Sequence, residues 1–432
     1  MMQMRKLWIL SSLVVTVGAL AGCNGGGSDT GATTTGGAKP SGTGGPAPEG
    51  GGSAGGRKMP SAAPVEASGD KIKIGVVASL TGDQKPWGDD QLAGAQIAVD
   101  EFNAAGGLNG KMVEIVKGDS ASKPESARSA AEKVMSEGVI GIVGEVSSGN
   151  TIQIAKAAFD KGIPVVAVGA TRTDLTDVGG HVFRVCYTDD FQGPLMAKFA
   201  YDKLGLRNVA VMTDNKLPYS QGLSESFKAQ FEKLGGKIVK ESFYESGTTQ
   251  FSAQLTELKS ANPEGVFLSG YFTEVGPIAQ QARAAGINVP MFGGDGWDSE
   301  QILTSGGEAI TNNGYFCNHY NNQDNRPQVI DFLKKWRAKY GGKDPGTTMG
   351  ALGYDAMALT LDALKRAKGA NSTALLNAIE DTVGFKGVSG DITLKGMNGN
   401  PPKRAIVVQV TKLGPTGWQK FAKDYTPEDL KK

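Results

Sequence analysis

Residues 139–151 read VIGIVGEVSSGNT. A short run of Val and Ile punctuated by Gly has the composition of a strand buried on both faces. The run breaks at Gly144 and continues through Ser147, Ser148 and Gly149. Asn150 is a favoured helix N-cap, and the apolar periodicity of 151–159 predicts a helix behind it. Small hydroxyl residues therefore stand where a strand ends and a helix begins. Unpaired backbone N–H groups and the helix dipole converge at such a point, so an anion can be held without a formal positive charge. The stretch reads as a cradle for a ligand carboxylate; an ordinary capped turn between strand and helix would read the same way.

Outward from this stretch, strand-like runs alternate with helical periodicity from Lys71 onward. Strands at 72–78 and 112–116 are followed by helices at 89–103 and 123–137, and a further strand lies at 163–168. A second series begins near Asp190 with a helix at 192–204 and a strand at 209–213, and continues to strand-like segments at 392–394 and 404–410. Such alternation predicts an α/β fold with parallel sheets covered by helices. The units are too many for one compact open sheet, and the two series predict two doubly wound lobes. In such sheets ligands bind off the carboxyl ends of the strands. The residues to examine are then 79–87, Ser147 and Ser148, 169–171, 214–219, Gly270 and Tyr271, and 293–297. Polar and aromatic side chains are interleaved there. Across one cleft, polar groups would fix a small polar ligand and rings would enclose its apolar part.

The chain has 432 residues, a net charge of +1 and a sequence pI of about 7.6, so it carries no bulk basic field for nucleic acid. Arg5 and Lys6 precede an apolar run at 7–20, and LAGC follows at 20–23. A basic start, a short apolar core and a small-residue cleavage site make a secretory signal, too short for a comfortable membrane span. LAGC also resembles the bacterial lipobox, which implies lipidation of Cys23; a plain signal peptide with a coincidental Cys is the alternative. The segment 1–22 is thus a lipoprotein signal peptide. Residues 23–69 are Gly/Ser/Thr/Pro-rich and read as a flexible tether, unable to bury enough surface to offset ordering entropy. No other segment is long and apolar enough to cross a bilayer, so the expected anchor is lipid. Beyond Cys23 the cysteines are Cys186 and Cys317. In an exported protein they would form one disulfide, or else be two buried small hydrophobes.

Outside the Gly-rich segment 23–69 there is no GxGxxG, HExxH, GxSxG or CxxC pair, and His181 and His319 are too few for a metal site of the usual kind. A nucleophile built from Ser148 and His181 is the one enzymatic arrangement left open. The composition otherwise favours binding over turnover, with no cofactor and no metal.

IKIGVVASLTGDQKPWGDDQLAGAQIAVDEFNAAGGLNGK at 72–111, the serine loop, AVGATRTDLT at 167–176, DNKLPYSQGL at 214–223, SGYFTEVGPIAQQARAAG at 269–286, GGDGWDS at 293–299 and ALGYDAMAL at 351–359 together resemble the substrate-binding proteins of branched-chain amino acid ABC transporters. The resemblance implies two α/β lobes joined by three crossover strands, the type I periplasmic binding protein fold. Lobe one would be 71–187 plus 318–393, and lobe two 188–317 plus 394–425. By the same resemblance Ser148 and Thr171 take the ligand carboxylate, the carbonyl at Gly169 accepts from its ammonium, and Asp295 pairs with that ammonium from the opposite lobe. Asp295 stands where the type members have Glu. Trp87 stands where a Tyr is usual, Tyr219 and Tyr271 cover the ligand from lobe two, and Trp297 adds another wall. Cys186 and Cys317 fall on two of the implied crossovers and would stiffen the hinge if bonded.

The expectation is therefore a lipid-anchored, extracytoplasmic, monomeric solute-binding protein. It would capture a small apolar or branched-chain amino acid and deliver it to ABC permease subunits, making and breaking no bond. The alternatives are a protein of the same fold binding urea, short amides or aromatic acids, or a ligand-sensing receptor module.

Overall fold

The computed structural model describes residues 56–311, 313–414 and 417–430; the signal segment, Cys23 and the tether as far as residue 55 lie outside them. In the first lobe, strands β1 (Lys71–Ala78), β2 (Met112–Asp119), β3 (Ile142–Val143), β4 (Val165–Ala167) and β5 (Val182–Arg184) form an all-parallel sheet in the order β2-β1-β3-β4-β5. Helices α1 (Lys85–Ala104), α2 (Pro124–Ser136) and α3 (Ser148–Phe159) connect the first four strands. Strands β3, β4 and β5 are buried on both faces, while the opposite edge strand β2 alternates between buried and exposed positions. This is the pattern that the Val/Ile runs predict.

The second lobe continues the alternation through α4 (Asp189–Asp202), β6 (Asn208–Asp214), α5 (Pro218–Lys233), β7 (Lys237–Tyr244), α6 (Ser252–Ser260), β8 (Gly265–Leu268), α7 (Phe272–Ala284), β9 (Met291–Gly293), α8 (Gln301–Gly306) and β10 (Gly314–Asn318). Helices α9 (Pro327–Lys339), α10 (Met349–Arg366) and α11 (Ser372–Glu380) then return to the first lobe, where α10 lies along α1. The two helices approach closely at Gly94 and Gly353, where an added Cβ would strike the other helix's backbone. After the hairpin β11 (Phe385–Gly387) and β12 (Gly390–Ile392), the chain joins the second sheet as β13 (Ala405–Gly414) and β14 (Gly417–Tyr425). Both run antiparallel to their neighbours, giving the order β14-β13-β10-β9-β8-β6-β7. The second sheet is thus parallel with an antiparallel edge, because a short hairpin rather than a helical crossover places its last strand.

Residues 57–68 correct the predicted tether, which the sequence extends to 69. They are docked on the first lobe. Arg57 Nη1 donates to the Val182 carbonyl at 2.6 Å, and its guanidinium lies over the Phe183 ring. Gly180 N donates to the Lys58 carbonyl at 2.8 Å. Val65 and Ser372 bond each other at 3.0 Å in both directions, Ala67 N donates to the Ala370 carbonyl at 2.8 Å, and Val65 and Ala67 pack on the core. The difference is local composition: Arg57, Met59 and Val65 supply the donors and apolar groups that the preceding Gly/Ser run lacks.

Cys186 and Cys317 are separate buried thiols, not a disulfide. Each is turned to its own partner: Cys186 Sγ donates to the Ala170 carbonyl at 3.4 Å, and Cys317 Sγ to Tyr187 Oη at 3.3 Å. Burial pushes the Cys186 thiol up to about 12, far from a reactive thiolate.

The docked segment predicts that a chain beginning at residue 69 melts a few degrees below one beginning at residue 56. Lost hydrogen bonds and apolar burial on the order of 1–3 kcal/mol set that scale, and differential scanning calorimetry of the two chains reads it. Equal melting temperatures would show that the contacts contribute nothing to stability.

Candidate functional site

Helix α3 opens one residue after Ser147, whose extended backbone (φ −71°, ψ 132°) makes it the N-cap in place of the predicted Asn150. Its first-turn N–H groups have no partner inside the helix and face the strand ends. Ser148 Oγ accepts from Arg172 N at 3.2 Å, which ties the serine loop to the loop carrying Thr171. Beneath lies Glu145. The sequence predicts a solvated loop charge there; the structure buries it completely. Its carboxylate accepts from Ser79 Oγ at 2.6 Å, Ser120 Oγ at 2.5 Å, Asn150 Nδ2 at 3.1 Å and Ser147 N at 2.9 Å. Burial holds the Glu145 carboxyl above its ordinary range against the pull of those donors. Asn150 thus serves the carboxylate and not the helix end. Arg184, also fully buried, fixes the next loop by donating to the carbonyls of Ala170 and Arg172, both at 2.9 Å.

From the second lobe comes Asp295, on a single 3-10 turn after β9. It is 3% exposed. Its Oδ1 accepts from Gln192 Nε2 at 3.1 Å, and its Oδ2 lies 3.0 Å from His319 Nε2. The backbone N of Asp295 donates to Gln192 Oε1 at 3.2 Å. Gln192 Nε2 also reaches Asp189 Oδ1 at 2.8 Å and Thr171 Oγ1 at 3.3 Å. One amide therefore links the predicted carboxylate-binding threonine to the predicted ammonium-binding aspartate. Tyr219 Oη accepts from Gly296 N at 3.0 Å, and the Tyr219 ring stacks on Tyr271 at 5.1 Å.

Between the lobes these groups line a small cavity with about 10 Å³ of solvent-accessible space. Six of the eight predicted ligand residues line it: Trp87, Ser148, Gly169, Tyr219, Tyr271 and Asp295. Val146, Gly296 and Met349 complete the wall. The space is smaller than the ~300 Å³ at which pockets for drug-sized ligands begin. Thr171 stands one step back, bonded through Gln192. Trp297 is not a wall. Its indole N–H donates to the Leu268 carbonyl at 3.0 Å and its ring lies in the second lobe's core beside Phe316. The tight turn at 295–297 sends Asp295 to the cleft and Trp297 to the core. The sequence passed over Gln192, Asp189 and Met349, which lie inside helices or at their starts, and His319, which directly follows β10. Position after a strand was the signal available for His319.

The lobes also bond each other directly. Trp87 Nε1 donates to the Asp298 carbonyl at 2.7 Å, and its ring meets Tyr271 edge-on at 5.0 Å. Arg172 Nη1 donates to the Pro218 carbonyl at 2.6 Å. The Asp298 carboxylate accepts from Thr348 N at 2.6 Å, Thr348 Oγ1 at 2.7 Å and Gln419 Nε2 at 2.7 Å, joining the loop after β9 to the start of α10.

Asp189 generates a test. Fully buried, with Oδ2 unpartnered and Asp295 nearby, its carboxyl is pushed up to about 7 from an ordinary 3.8, chiefly by burial. An acid whose folded pKa is raised stabilises least when ionised. The penalty is absent below about pH 4, grows as pH rises towards 7, and is full above that. Asp189→Asn removes it. The melting temperature of the variant should therefore gain on the wild type between pH 4 and pH 8, by the equivalent of up to ~4 kcal/mol. A difference that does not vary with pH would show that Asp189 is ionised throughout.

Residues 71–415 match a family model described as periplasmic binding protein. The chain is 32% identical over 355 residues to Leu/Ile/Val-binding protein homolog 2 of Brucella abortus, covering 80% of this chain and 92% of that protein. It is 30% identical to the Leu/Ile/Val-binding protein of Escherichia coli, covering 66% and 78%. Among solved structures it superposes on the leucine-binding protein LivK of Thermotoga maritima with a TM-score of 0.77 at 35% identity, covering 83% of this chain and 99% of that one. LivJ of Streptococcus pneumoniae in complex with isoleucine gives a TM-score of 0.76 at 32% identity, covering 83% and 100%. The two lobes, the cleft between them and these matches agree: the chain belongs to the periplasmic binding protein family, among the substrate-binding proteins of branched-chain amino acid ABC transporters.

Proposed function

We propose that this chain captures an α-amino acid with a small apolar side chain in the cleft and hands it to an ABC permease without making or breaking a bond. The observation that carries this reading is the facing of two opposite binding elements across one small cavity. The N-terminus of α3, with Ser148, faces it from the first lobe, and the Asp295 carboxylate faces it from the second. A ligand carboxylate suits the first and an ammonium the second. Gly169 lines the cavity beside them, its carbonyl being the acceptor we assign to the ammonium, and Thr171 supports the carboxylate side through Gln192. Trp87, Val146, Met349, Tyr219 and Tyr271 enclose the side chain. The relatives named for Leu, Ile and Val binding, and the isoleucine complex, support that ligand class. The protein works outside the cytoplasm as a monomer, held to a membrane by lipid on Cys23. Among the described residues no helix is long and apolar enough to cross a membrane.

A second reading has one observation in its favour. Both oxygens of Asp295 already have protein neighbours, Gln192 and His319, so a carboxylic acid or amide without an ammonium is the alternative ligand.

A thermal-shift screen of the protein, refolded to strip bound ligand, separates the two. Apolar L-amino acids at about 100 times Kd should stabilise by ~2.7 kcal/mol and raise the melting temperature by several degrees. The shift should vanish in Ser148→Ala and Asp295→Ala. A shift with aromatic acids, urea or amides, and none with any α-amino acid, would overturn the assignment of Asp295.

A further inference from the structure

His319 is the second histidine of the chain and follows β10 directly. It is 1% exposed. Its ring lies flat on Tyr187, with centroids 4.0 Å apart and planes 16° from parallel, and its backbone N donates to Asn318 Oδ1 at 2.8 Å. Tyr187 is itself buried and accepts from Cys317 through its hydroxyl. Ring and backbone are thus both held, and Nε2 is held 3.0 Å from Asp295 Oδ2.

The hydrogen-bond inventory decides what His319 gives. An ionised carboxylate only accepts, so Nε2 carries the hydrogen. Nδ1 is buried and has no partner. His319 therefore gives Asp295 Oδ2 a donor whose position is fixed by the stack on Tyr187. With Gln192 on one oxygen and His319 on the other, each oxygen retains a lone pair for a further donor. Asp189 adds an acidic neighbour on the Gln192 side, and the Tyr219 and Tyr187 rings close the remainder.

We propose that His319 is the positioning residue that makes the cleft selective for ligands bearing an ammonium group, by holding the Asp295 carboxylate in place. This rests on the reading of Asp295 given under Proposed function. Without His319, one oxygen of a buried carboxylate loses its donor, and the group turns elsewhere. That change weakens the hold on an ammonium and leaves the helix-end cradle for the ligand carboxylate as it was.

The test compares L-leucine with 4-methylpentanoate, which is leucine without its amino group, by calorimetry on the intact protein. The wild type should prefer leucine by about 100-fold or more, since the analogue leaves a buried carboxylate unpaired. His319→Leu should lower leucine affinity by about tenfold or more while changing that of 4-methylpentanoate less than about threefold, so that the preference collapses. His319→Gln, whose side-chain N–H reaches the position of Nε2, should restore the preference to within about threefold of wild type. The inference is overturned if His319→Leu keeps the wild-type preference, or if both variants weaken the two ligands alike. A wild type that binds both ligands equally would instead remove Asp295 as the ammonium partner, and with it the ground on which this inference stands.

Discussion

A carboxylate taken out of water costs several kcal/mol unless donors converge on it, and this protein buries four along the seam between its lobes. Glu145, Asp189, Asp295 and Asp298 are each 3% exposed or less. For three of them donors come from distant segments: hydroxyls at the ends of β1 and β2 for Glu145, the start of α10 and β14 for Asp298, and α4 and the residue after β10 for Asp295. Such groups accept few arrangements. If the segments shift by an ångström or two, a buried acceptor loses its donor. The seam therefore favours discrete states over graded ones, which a protein that must close on a ligand and reopen requires.

The fold was legible because parallel strands buried on both faces leave a plain record: uninterrupted Val/Ile runs, each followed by a helix. Strand ends then located Ser148, Tyr271 and Asp295, and the family resemblance supplied their roles. What was not legible is the set of partners. Glu145 reads as a surface charge because a charged residue in a loop usually is one; only the joint arrival of Ser79 and Ser120 from other strands makes burial tolerable. Trp297 sits two residues from Asp295 and looks like a fellow cleft residue, yet a tight turn separates their directions and the indole N–H has a backbone partner in the core. Gln192 carries no local signal, since a Gln within a helix is ordinary until the fold brings Asp295, Asp189 and Thr171 to it. The docking of 57–68 was hidden by the low-complexity run before it, which sets the average over a window longer than the docked piece.

On the proposed reading, the two lobes bring different resources to one ligand. The first offers helix-end N–H groups, a partial positive charge held by backbone geometry. The second offers a full negative charge on a short side chain. Neither is complete alone, and a zwitterion is the small molecule that satisfies both. The direct bonds between the lobes, among them Trp87 to the Asp298 carbonyl, Arg172 to the Pro218 carbonyl and Thr348 to the Asp298 carboxylate, need no ligand. The neutral ones contribute a net ~1 kcal/mol each and those to a charged group ~1.5–3 kcal/mol. On that reading, ligand bonds made to both lobes at once would exist only with the lobes together, and would supply the differential affinity that shifts a population. A seam with many more direct bonds would stay shut without ligand. One with none would ask the ligand alone to offset the ordering of both lobes. On the proposed reading, release follows the same logic in reverse: separating the lobes parts the α3 N-terminus from Asp295, and neither lobe alone holds both ends of the ligand.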